Sequence, residues 1–259
     1  MRATRLVILI LLLSTIFSGC NKPVENDRNE SKPELFISAA ASLSDALEEI
    51  RQIYEQENEL ELVINYGGSG KLAQQIQQGA PVDVFLSANT YWMNVLSNEN
   101  EIKEDTIVNI VENKLVLITD KDSMIDYLSF ADIQEEDVEQ IAIGNPASVP
   151  AGAYAESILT DLGKWEELEE KFVFVQDVRQ VLTYVETGNA DIGFVYASDA
   201  SRSDDVKIVV KADAALHEPI VYPGALTMSS DLAEEGKQFL QFLQSETDKV
   251  YLRNTVLVN

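Results

Sequence analysis

The sequence offers little that could react, crosslink or bind a polyanion. Among its 259 residues there is one cysteine, Cys20, and one histidine, His217. A lone cysteine closes no disulfide within the chain. The setting Leu216-His217-Glu218-Pro219 lacks the two-histidine spacing of a zinc hydrolase. No Gly-x-Ser-x-Gly elbow occurs, so serine or cysteine nucleophiles paired with histidine find little support. Positive charge is scarce as well: 19 Lys and Arg stand against 44 Asp and Glu, for a net charge of −25. With no basic run to track a phosphate backbone, nucleic-acid binding is disfavoured. No heptad or internal repeat is present, and no apolar run reaches the roughly 20 residues of a membrane-spanning helix.

What is there suits a globular body: 46% hydrophobic residues, and a length sufficient for one large domain or two small ones. The first residues differ. Arg2 and Arg5 precede the apolar run Leu6 to Leu13, then small residues lead to Phe17-Ser18-Gly19-Cys20. This is the layout of a signal peptide. Its end resembles a bacterial lipoprotein signal, in which the cysteine becomes the acylated first residue, although Phe17 stands where that pattern prefers Leu. Residues 1–20 are therefore read as a signal peptide and Cys20 as a lipidation site. The polar stretch 21–33, NKPVENDRNESKP, reads as a flexible tether, which places the body at the extracytoplasmic face of the cell membrane, held by lipid alone. Cleavage removes two arginines and no acids, leaving 17 basic against 44 acidic residues, or −27. An anionic ligand would meet long-range repulsion from such a body.

From residue 34 onward, short β-branched runs alternate with amphipathic stretches. Strands are predicted at 35–39, 60–66 and 82–87, and helices at 43–57, 70–78 and 90–96. A second series has strands at 140–144, 172–175 and 191–196, with helices at 151–162 and 178–187. Two long segments, Thr106 to Thr119 and Ile220 to Met228, read as extended connections, and helices at 231–244 and 246–254 follow. The pattern predicts an α/β clamshell of two lobes, each a mostly parallel sheet flanked by helices, joined by two crossing segments. Lobe I takes 34–112 plus 222–259, and lobe II takes 113–221.

Ligands in open α/β sheets sit beyond the carboxyl ends of the strands, and five loops there carry donors. Ser42, in Ser38-Ala39-Ala40-Ala41-Ser42, stands where a helix N-cap belongs. Ser69 lies in Tyr66-Gly67-Gly68-Ser69-Gly70-Lys71-Leu72, which looks like a P-loop but lacks its first glycine and its magnesium-binding hydroxyl. A glycine-rich anion nest fits better. Ala151 falls in a first helical turn after Asn145-Pro146-Ala147-Ser148-Val149-Pro150, Val178 follows the capping candidate Asp177, and Tyr196 ends a strand. First-turn amides carry partial positive charge and no internal partner, so they suit an oxyanion without a cation. Lys71 and Arg179 flank two of these loops and read as rim residues that neutralise nearby acids.

These loops, together with Ala80-Pro81-Val82-Asp83-Val84-Phe85 and Val195-Tyr196-Ala197-Ser198-Asp199-Ala200, resemble in order the signatures of the molybdate-binding proteins of ABC transporters. The resemblance implies hydroxyl ligands at Ser42, Ser69 and Tyr196 and amide donors at Ser42, Ser69, Ala151 and Val178. Molybdenum would arrive as molybdate, or tungsten as tungstate, with no cofactor. It implies a monomeric binding protein that delivers its anion to a membrane permease and catalyses nothing. Sulfate shares shape and charge with molybdate, so a sulfate-binding protein remains the alternative. A purely structural lipoprotein is the reading from a third class, and it would need no donor loops aligned at helix starts.

Overall fold

The computed structural model describes residues 32–255, with side chains to 245. The signal segment 1–20 with its Cys20, and tether residues 21–31, lie outside the described residues. The first sheet begins with β1 (Glu34–Ala40), β2 (Glu61–Gly67), β3 (Val84–Leu86) and β4 (Val108–Asn113), with α1 (Ser44–Glu57), α2 (Ser69–Gln77) and α3 (Thr90–Asn98) between them. One residue later β5 (Leu115–Asp120) opens the second sheet. It is followed by β6 (Ile141–Gly144), α4 (Pro150–Asp161), α5 (Trp165–Leu168), β7 (Phe172–Val175), α6 (Val178–Glu186), β8 (Ile192–Tyr196), α7 (Ala197–Ala200) and β9 (Val206–Lys211). The chain then returns through β10 (Ile220–Leu226) and α8 (Ala233–Thr255).

The two sheets share one plan. Their strand orders are β2-β1-β3-β10-β4 and β7-β6-β8-β5-β9. In each, the fourth strand is antiparallel to both neighbours while the other four run together. That reversed strand is the one that has just crossed from the other sheet. Parallel strands are covered on both faces and so need continuous apolar sequence, as in Ile141-Ala142-Ile143-Gly144, which is buried throughout. Helices close the faces: Tyr54 of α1 meets Phe239 and Phe242 of α8 edge-on, with centroids 5.2 and 5.1 Å apart. α4 and α6 stop at Gly163 and Gly188, whose φ of +70° and +68° suits a residue without Cβ.

The structure corrects the sequence reading at several elements. The segment 106–119 is two strands broken at Lys114, because the chain changes sheets there. Strand β9 went unpredicted; it is an edge strand flanked by Lys207 and Lys211, half-buried along much of its length, so its alternation is blurred. The helices predicted at 231–244 and 246–254 are a single helix. No Gly or Pro separates the two stretches, and the Ser245 hydroxyl donates back to the Phe242 carbonyl at 2.9 Å, as serines inside helices do.

Candidate functional site

Six parallel strands, three from each sheet, end at one small cavity. Ala40, Ala41 and Ser42 stand at the end of β1, Gly67, Gly68 and Ser69 at the end of β2, and Ala88 after β3. The second sheet adds Val149, Pro150 and Ala151 after β6, Val178 after β7 and Tyr196 at the end of β8. The five residues singled out in the sequence are thus brought together. The space is small, about 190 Å³ with its opening to solvent included. Every lining residue is uncharged.

Local structure explains how each group is presented. Ser42 is no side-chain cap: it lies inside a 3-10 turn, Ala41–Leu43, and the residue capping α1 is Leu43, with no side-chain bond. One extra turn moves the helix start to Ser44, so the buried Ser42 hydroxyl is not spent on a helix amide. It stands 2.9 Å from the Tyr222 hydroxyl instead. Gly68 occupies the N-cap of α2 and Ser69 its first position. Ser69 Oγ accepts from the Ala88 amide at 3.0 Å, which leaves its own proton for another acceptor.

In the second sheet, Pro150 takes the first position of α4, where an amide would lack a partner anyway. Ala151 follows, in the same unsatisfied first turn. Asp177 caps α6 as the sequence suggests, its side chain accepting from the Gln180 amide at 3.0 Å, so that Val178 begins the helix. Tyr196 is 1% exposed, with its ring edge-on to Tyr222 at 5.7 Å. Tyr222 escaped the sequence reading because it sits mid-strand in what looks only like a crossing segment.

The two lobes meet around this cavity. The Gly70 amide donates to the Ser148 carbonyl at 2.9 Å, and Lys71 Nζ lies 3.5 Å from Gln176 Oε1. Neither Lys71 nor Arg179 lines the space. Arg179 pairs with Asp45 across the lobes and stands 3.3 Å from Asp199, while Arg202 reaches Asp45 at 3.4 Å and Glu49 at 3.3 Å. His217 lies apart, on a wider groove with Tyr91, Trp92 and Tyr154.

Burial pushes the Asp199 carboxyl up from 3.8 to about 6, against the pull of Arg179. Below pH about 4 the group is protonated whether the chain is folded or not, and folding bears no penalty. Between about 4 and 6 only the unfolded chain ionises, so stability falls as pH rises; above 6 the penalty is constant, on the order of 3 kcal/mol. Asp199→Asn should lack this slope, seen as the difference between melting temperatures of variant and parent across pH 4 to 7. Parallel curves would refute it.

The sequence profile of the bacterial extracellular solute-binding proteins matches residues 35–253. The chain belongs to that family. A Bacillus subtilis protein with the provisional name ABC transporter substrate-binding lipoprotein is 42% identical over 240 residues, 92% of each chain. The molybdate-binding protein of Haemophilus influenzae is 36% identical over 220 residues, 83% of this solute-binding protein and 86% of the relative. Among solved structures, the substrate-binding domain of a provisionally assigned molybdenum ABC transporter from Clostridium difficile has 43% identity and a TM-score of 0.65, covering 86% of this chain and 97% of its own. The two-lobed architecture with a small cavity between strand ends is thus that of a solute-binding protein. No helix among the described residues is long and apolar enough to cross a membrane.

Proposed function

We propose that this solute-binding protein captures molybdate or tungstate outside the cytoplasm and delivers it to the permease of an ABC transporter. On this reading it is a monomer anchored through a lipid on Cys20, and it catalyses nothing. Lobe I (34–112 with 222–259) and lobe II (113–221) close on the anion. Hydroxyls of Ser42, Ser69 and Tyr196 and amides of Ser42, Ser69, Ala151 and Val178 donate to its oxygens.

The observation that carries the reading is the convergence of these groups on one small cavity with no charged residue in its wall. A buried cation would cost desolvation, whereas helix-start amides and hydroxyls supply oriented donors at no net charge. The same wall answers the objection from net charge, since donors at contact range outweigh repulsion screened over about 10 Å. Hydrogen phosphate carries a proton that needs an acceptor, and the wall offers no carboxylate. Sulfate would satisfy the same donors and stands as the second reading. The relatives named for molybdate and molybdenum support the larger anion.

Calorimetric titration with molybdate, tungstate, sulfate and phosphate in parallel tests the reading. Molybdate and tungstate should bind, and should raise the melting temperature as ligands of a native state do. Ser42→Ala and Ser69→Ala should each lose about 1–3 kcal/mol of binding, as expected for hydrogen bonds to a charged group. Tighter binding of sulfate would favour the second reading, and no binding of any oxyanion would end both.

A further inference from the structure

Ser42 is tied to the crossing between the sheets by a chain of hydrogen bonds. Asn113 closes β4, one residue before the chain changes sheets. Its side-chain oxygen accepts from the Lys114 amide at 2.9 Å, which fixes the amide group and turns Nδ2 toward its neighbours. Nδ2 donates to Ser198 Oγ at 2.8 Å and to the Tyr222 hydroxyl at 3.3 Å. An NH2 group cannot accept, so Tyr222 is the acceptor in that bond. Tyr222 in turn lies 2.9 Å from Ser42 Oγ. It is fully buried, and a register shift beside Pro223 on β10 fixes its place on the strand.

We propose that Tyr222 is a positioning residue: with one lone pair of its oxygen taken by Asn113, it gives its proton to Ser42 and so turns the Ser42 proton into the cavity. This rests on the anion-binding reading above. A serine hydroxyl holds one proton and rotates freely. Left alone, Ser42 would spend its proton on any nearby acceptor, and aiming it at the ligand would cost orientation each time the anion binds. A neighbour that donates to Ser42 removes that choice before the ligand arrives. Because Asn113 and Tyr222 belong to the two strands that flank the crossings, the donor is set by the same segments that join the lobes. Tyr222 itself touches no ligand in this scheme.

A double-mutant cycle read by molybdate calorimetry tests the relay. Tyr222→Phe keeps the ring and deletes the hydroxyl. In the parent background it should weaken molybdate binding ~5–20-fold, the size of one well-aimed hydrogen bond. In a Ser42→Ala background it should change affinity less than about twofold, since the group it positions is gone. Asn113→Ala should give a smaller loss that also vanishes without Ser42. If Tyr222→Phe melts far below the parent in the absence of anion, the Asn113→Ala cycle carries the test. Losses that add independently of Ser42, or a Tyr222→Phe protein that binds as tightly as the parent, overturn the relay. If the parent binds no oxyanion at all, the anion reading itself has failed and the relay falls with it.

Discussion

Gly68→Ala should leave both lobes folded and weaken molybdate binding by roughly 10–100-fold, the range set by overpacking costs. A Cβ at this position would stand 2.6 Å from the Gln176 carbonyl oxygen, 3.1 Å from that of Ser148 and 3.2 Å from Val149 Cγ2. All three nearest atoms belong to the second lobe, and two are main chain, which cannot step aside as a side-chain tip can. Gly68 itself has φ −64° and ψ 132°, a conformation alanine adopts without strain. The first lobe therefore accepts the methyl group, and the strain falls on the approach of its partner. The variant should melt near the parent without anion, gain little on adding molybdate, and show a larger radius of gyration in X-ray scattering with ligand present. Parent-like affinity would mean that the contact seen here is not the ligand-bound one.

Gly152→Ala should do the opposite and lower the stability of the protein by about 3 kcal/mol or more. Its Cβ would fall 1.8 Å from the Gly144 carbonyl oxygen and 2.6 Å from the carbonyl carbon. Both partners lie within one lobe, where α4 crosses the end of β6, so no hinge motion relieves the clash. The helix must lift from the sheet. For a chain of this size the cost corresponds to a fall in melting temperature of roughly 10 °C, measurable by calorimetry without any ligand. A shift within 2 °C or so of the parent would show that the helix and strand have room that their spacing here denies. Compared side by side, the two glycine variants separate closure from folding.

Much of this site could be read from sequence because its parts are local. A strand, a short loop and a helix start are neighbours in the chain, so Ser69, Ala151 and Val178 announce themselves through Gly, Pro and Asp at fixed offsets. Asp177 behaves as its type suggests. Ser42 lines the cavity but is not the side-chain cap its position suggests: its hydroxyl faces Tyr222, 180 residues away, and no capping rule reports that. Tyr222 and Asn113 were invisible for the same cause, since a polar group mid-strand or at a strand end acquires meaning only through a distant partner. The fold shows the same division. Elements with both ends punctuated were found, whereas the break at Lys114 depends on which sheet receives β5, a tertiary choice that overrides the continuous apolar pattern.

The cavity wall has a consequence for how such a protein drifts over generations. A codon change can erase the hydroxyl of Ser42 or Ser69, but no exchange at Ala151 or Val178 removes a main-chain N–H unless it writes proline. On the proposed reading, the four main-chain amides among the seven donors are therefore beyond the reach of ordinary point mutation. What mutation can alter is how far apart the helices bearing those amides are held, through packing such as that of Gly152 against Gly144. Preference between anions of different radius would then be inherited through residues that never meet the anion.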